Sequence, residues 1–183
     1  MPPGGIVGTN QKRISMLSTK MEEAVNEQIK WEFYSAYLYL SMSAYFQDLG
    51  LPGFAQWMEA QYQEEVFHAM KMFRYVSEQG GRVRLQAIEQ PEHEWKSPLD
   101  CMEFSLNHER EVTRRINELA SLAQEEKDHA TFIFLQWFIS EQVEEEDTFG
   151  DVVSKLKLVG DGGGLFMLDR DLGTRVFTPP TNA

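Results

Sequence analysis

Apolar residues recur at three- and four-residue spacing over most of the chain, which is the pattern of amphipathic helices. The first stripe is Val25, Gln28/Ile29, Glu32, Ala36, Tyr39/Leu40 and Ser43, on a helix predicted from about Thr19 to about Asp48. Thr19-x-x-Glu22 reads as its capping box. Gly50 is a stop and Pro52 a start for the second helix, Pro52 to Gln79, with the stripe Phe54, Met58, Gln61/Tyr62, Glu65, His68/Ala69, Met72 and Val76. Ser97-Pro98 opens a third helix, running to about Glu125 with Leu99, Met102, Leu106, Glu109, Val112/Thr113, Ile116 and Ala120 on one face. Asp128 caps a fourth, to about Leu158, with Phe134, Phe138, Gln142, Glu145, Phe149, Val152 and Leu156. Glycines then interrupt the chain, and Leu165 to Leu172 fits a short fifth helix. Thr178-Pro179-Pro180 ends the ordered part.

The connections constrain the topology. A short link makes the first two helices antiparallel neighbours. After Gly80-Gly81, however, Arg82 to Lys96 contains Pro91 and shows little helical period. A 28-residue helix is about 42 Å long, and such a segment, extended, spans roughly 50 Å. It can return along the whole bundle and start the third helix parallel to the second. The expected fold is all-α: a four-helix bundle with one long crossover and a short fifth helix at the C-terminal end. Residues 1–15 read as a disordered tail and 16–183 as one domain.

Each of the four stripes is interrupted midway by a carboxylate: Glu32, Glu65, Glu109 and Glu145. The second also carries His68 one turn after Glu65, as Glu-x-x-His, and no lysine or arginine sits on the stripes to neutralise them. A Glu-x-x-His alone is a weak signal, and a lone stripe glutamate can be a boundary residue. Four carboxylates in one core would repel each other and stay protonated unless cations fill the gap. Structural zinc prefers thiolate and imidazole, and calcium would want loop carbonyls. Carboxylates with a histidine in a four-helix core suit a pair of iron or manganese ions. His93, His108 and His129 read as exposed or locally satisfied, and Cys101 as a half-buried helix residue.

Together these segments resemble a ferritin of the prokaryotic non-haem kind over about residues 16–180. The resemblance is carried by Glu32-Phe33-Tyr34-Ser35-Ala36-Tyr37-Leu38-Tyr39, Gln63-Glu64-Glu65-Val66-Phe67-His68, Asn107-His108-Glu109 and the run from Phe134 to Glu146. It implies the ferritin-like bundle and an intrasubunit di-iron ferroxidase centre. Glu32 and His68 would hold one iron, Glu65 would bridge both, and Glu109 and Glu145 would hold the second with Gln142 beside it. Glu64, Glu141 and Glu144 match an extra acidic iron site, Tyr39 the tyrosine hydrogen-bonded near the centre, and Trp137 the tryptophan close to it. The family also implies iron storage as ferric mineral in a hollow homo-oligomeric shell of 24 subunits, with ferrous iron and dioxygen or peroxide as substrates. Bacterioferritins and rubrerythrins carry a second Glu-x-x-His on the fourth helix. Here that segment is Gln142-x-x-Glu145, with no histidine after His129, which moves the reading away from both; with the non-haem kind, no haem is expected.

Composition agrees. The net charge is −12, from 29 acidic and 17 basic residues, which suits cations and argues against nucleic acid. No apolar run is long enough for a membrane span. The single cysteine excludes an intrachain disulfide or a cysteine-ligated cluster, so a cytoplasmic location is expected. Two other readings stay open: a di-iron oxidase or peroxide reductase without storage, and a non-catalytic helical binding module. The buried glutamates speak against the second.

Overall fold

The computed structural model describes residues 15–160 and 162–180. Of the tail expected over residues 1–15, all but Ser15 lies outside them. The described residues form five helices: α1 (Thr19–Asp48), α2 (Pro52–Glu78), α3 (Pro98–Glu125), α4 (His129–Val159) and α5 (Gly163–Leu172). Ser97 and Asp128 cap α3 and α4 with side-chain oxygens, as the sequence predicts. The cap of α1 is Ser18, not Thr19, and its hydroxyl accepts from the Met21 N–H at 3.0 Å. Glu22 closes no capping box. It accepts from the Arg82 N–H and the Arg84 guanidinium, each at 3.1 Å, so a tertiary partner outcompetes the local one.

Those two arginines begin the crossover. Asn26 Oδ1 takes the Arg84 N–H at 2.6 Å, Ser41 donates to the Glu92 carbonyl at 2.8 Å, and Tyr45 donates to the Trp95 carbonyl at 3.1 Å. The partners ascend α1 in the order of its own numbering. The segment therefore runs parallel to α1 from one end of the bundle to the other, its backbone groups anchored to α1 side chains. It delivers α3 to the end where α1 finishes and α2 begins, so α3 is parallel to α2.

α5 seals that end. Leu51 gives α2 no side-chain cap, and the Phe54 N–H donates instead to Asp169 Oδ1 of α5 at 2.9 Å. A Cβ on Gly53 would stand 1.6 Å from the Asp169 carbonyl oxygen, so the close approach of α5 requires glycine here.

Two apolar clusters fill the bundle. One contains Leu38, Phe46, Met58, Met102 and Phe149; the other Ile29, Met72, Val112, Ile116 and Phe138. On every long helix a residue of each cluster flanks a buried glutamate, so the carboxylates form a polar layer between two greasy ones. Leu40 is 41% exposed, which leaves Tyr39 as the inward residue of that pair. Cys101 is fully buried, further in than the sequence pattern suggests, and burial pushes its thiol pKa up.

Candidate metal centre

The six candidate residues at mid-bundle are all buried: Glu32, Glu65, His68, Glu109, Gln142 and Glu145. Helical geometry puts Glu65 and His68 on one face, three residues apart. His68 Nδ1 stands 3.5 Å from Glu65 Oε2 and 3.8 Å from Glu32 Oε2. These spacings are too long for hydrogen bonds and leave three donor atoms converging on a common point. The ligand atoms of Glu32, Glu65 and His68 all lie within 4.8 Å of one another. Glu32 Oε2 is buried with no hydrogen-bond partner among the described residues. An orphaned buried carboxylate oxygen is costly, and a cation at the convergence point would satisfy it.

Glu109, Gln142 and Glu145 come from α3 and α4, and their charged members act on Glu65 from outside the group of three converging ligand atoms. Tyr39 donates its phenolic hydrogen to Glu109 Oε1. Gln142 Nε2 donates to Glu109 Oε2 at 3.1 Å. Gln61 Nε2 donates to Glu145 Oε2 at 2.9 Å, and Gln28 Nε2 to Glu32 Oε1 at 2.9 Å. Glu32 and Glu145 are therefore steadied through one oxygen and Glu109 through both, in each case by neutral donors, an arrangement that orients a carboxylate without cancelling its charge.

The electrostatics record the crowding. Burial first, then the charges of Glu109, Glu32 and Glu145, raise Glu65 well above its ordinary value of 4.5. Burial raises Glu109 to about 7 against the opposing pull of its bonds from Tyr39 and Gln142. Burial and the charge of Glu109 raise Glu145 to about 8. Burial, then the charge of Glu109, holds the Tyr39 phenol well above 10, so it stays a hydrogen-bond donor.

Of the extra acidic residues, Glu64 and Glu141 come together with His68, their ligand atoms again within 4.8 Å of one another. Glu144 is exposed and stands outside that group. Trp137 packs edge-on to His68 at 5.4 Å. His93 and His129 are exposed, while His108 pairs with Ser35 Oγ at 2.7 Å, and burial lowers its pKa to about 4. Sequence reasoning gave Gln28 and Gln61 no role at the centre, although both lie on the inner stripes one turn before a glutamate. It assigned nothing to Arg175, which pairs with Glu64 at 2.7 Å.

The family described as a ferritin-like domain matches residues 22–159. This chain belongs to the ferritin family. A bacterial non-heme ferritin of Bacteroides fragilis (strain 638R) is 44% identical over 160 residues, covering 87% of this chain and 100% of that one. A probable bacterial non-heme ferritin-like protein of Haemophilus influenzae is 43% identical over 159 residues, 86% of this chain and 96% of that one. Among solved structures, an open-pore ferritin of the hyperthermophilic archaeon Archaeoglobus fulgidus superposes with a TM-score of 0.87 at 55% identity. That match covers 87% of this chain and 99% of that chain. A form of the A. fulgidus ferritin engineered to be closed gives a TM-score of 0.88 at 56% identity, over 88% of this chain and 99% of that one. The ferritin is thus of the prokaryotic non-haem kind, and its fold and family carry the coarse function, iron storage.

Proposed function

We propose that this ferritin oxidises ferrous iron with dioxygen at the mid-bundle centre and deposits the ferric product as mineral inside a homo-oligomeric shell of 24 subunits in the cytoplasm. One observation carries the reading. Buried ligand atoms of Glu32, Glu65 and His68 converge within 4.8 Å, and one carboxylate oxygen among them is unpaired. In this reading Glu32 and His68 bind the first ferrous substrate ion, Glu65 lies between the two ions, and Glu109 and Glu145 bind the second. Dioxygen takes one electron from each ion.

The chain's contribution is placement and charge. Donors on four helices set the spacing of the two substrate ions, which converts a collision of separate ions into a reaction between neighbours. Gln28, Gln61 and Gln142 fix the orientation of the carboxylates. Incoming cations displace the protons that burial keeps on Glu65, Glu109 and Glu145, so binding releases protons. Tyr39 holds Glu109 with a hydroxyl that remains protonated. The net charge of −12 favours cation uptake and mineral nucleation. No helix among the described residues is long and apolar enough to cross a membrane.

The test is size exclusion after aerobic ferrous loading, with iron counted per subunit. Accumulation well beyond two irons per subunit in a large assembly supports storage. A count that stops at two would favour an oxidant-consuming di-iron enzyme instead.

A further inference from the structure

Arg175 follows α5, and its guanidinium reaches the outer edge of the centre. Nη2 pairs with Glu64 Oε2 at 2.7 Å, and the guanidinium carbon lies 4.6 Å from the centroid of the Trp57 ring. Trp57 is buried and packs edge-on against Phe149 at 4.8 Å, and Phe149 stacks on Tyr39 at 5.5 Å. The guanidinium thus rests on a fixed aromatic platform. Two residues further on, Phe177 stands 6.1 Å from Phe67, ring to ring. The segment after α5 is therefore anchored on both sides of Glu64 by contacts to α2.

Glu64 is also a member of the outer group with His68 and Glu141. His68 is 1% exposed, and its Nε2 has no hydrogen-bond partner among the described residues, standing 3.9 Å from Glu141 Oε2. The imidazole therefore faces two acidic groups, one through each nitrogen. With Nδ1 turned to the inner carboxylates, Nε2 is left to carry the ring proton toward Glu141, so the outer group offers carboxylate oxygens, and one of its carboxylates already holds a cation that belongs to the chain. A metal ion and a guanidinium compete for the same carboxylate.

We propose that Arg175 is a tethered counter-cation of the outer acidic group, and that a divalent ion binding to Glu64 there must first displace it. Occupation of the outer site is then coupled to release of the segment around Arg175 from Trp57, and the outer site is the last to fill and the first to empty. The inference rests on the ferroxidase reading of the inner centre.

The test uses zinc, which cannot be oxidised, as the probe. Metal-free wild-type, Arg175→Gln, Arg175→Lys and Glu64→Gln proteins are titrated by calorimetry, with bound zinc counted after dialysis. The wild type binds two tight ions per subunit and a weaker one. In Arg175→Gln the weaker ion binds about fivefold tighter, the scale of an ion pair between partly exposed partners. Arg175→Lys keeps wild-type affinity, and Glu64→Gln loses the weaker ion. An unchanged weaker class in Arg175→Gln, or its survival in Glu64→Gln, overturns the inference while the tight pair stands. Absence of the tight pair in the wild type overturns the ferroxidase reading, and absence of all binding overturns both.

Discussion

Gln142 on α4 donates its amide hydrogen to the Glu109 carboxylate on α3 at 3.1 Å and shares the same nitrogen with Thr113 Oγ1 at 3.3 Å. The bond ties two helices together at the depth of the centre. It also commits the nitrogen of Gln142, so only its carbonyl oxygen remains to meet a cation. In the proposed centre the second ion would therefore meet oxygen donors throughout, while the first would have the His68 imidazole.

That asymmetry predicts an order of filling, because imidazole is the stronger donor for ferrous iron. At limiting iron, the site bearing His68 should show the higher occupancy in crystals. Gln142→His should hold the second ion longer and slow sustained turnover after the first pair is oxidised. Equal occupancy in the wild type, or faster mineralisation in the variant, would count against the asymmetry.

With Glu65 between both ions, as proposed, Glu65→Ala should slow ferrous oxidation by at least ~10-fold, the lower end for losses around a metal. The shell should still assemble, because one buried carboxylate fewer lowers the repulsion that raises the others. Stopped-flow oxidation at the wild-type rate would remove Glu65 from the centre.

The raised carboxylates make metal-free stability fall with rising pH. The folded state keeps protons that the unfolded chain releases near 4.5. Their contribution is full below that value and is lost as pH passes about 7 for Glu109 and about 8 for Glu145. The melting temperature of metal-free protein should drop across this window, and the increment from a saturating divalent ion should grow across it. Parallel melting curves with and without zinc from pH 5 to 9 would contradict the linkage.

At the far end of the bundle, Gly53→Ala should destabilise by about 1–3 kcal/mol, the usual range for overpacking. Asp169→Ala should cost about 1 kcal/mol through the lost cap on Phe54, whereas Asp169→Asn retains an acceptor and should cost less. Thermal melts of the three variants check the order.

What the sequence made legible follows from local physics. A glutamate in the middle of an apolar stripe breaks a period, so Glu32, Glu65, Glu109 and Glu145 stand out, and a proline-containing gap between long helices dictates a crossover. Ser18 and Thr19 are both capping types, and nothing local says that Glu22 prefers the crossover arginines. Gln28 and Gln61 were visible on the stripes but carried no charge to flag them. Asp169 is 115 residues from the N–H it caps, and Arg175 is 111 from Glu64. Pairings at that separation leave no trace in a helical period and depend on how α5 docks.

The polar layer is split between two hairpins. Helices α1 and α2 supply Glu32, Glu65 and His68; helices α3 and α4 supply Glu109, Gln142 and Glu145. In the proposed centre, a pair of ions across that seam would work as a removable rivet between the two halves of the subunit. Loaded, the halves are pinned at their middle. Emptied, they are left with like charges or shared protons facing each other where the rivet was. On that reading, metal-free and metal-loaded subunits should differ in stiffness along this joint, looser when empty and tighter when filled.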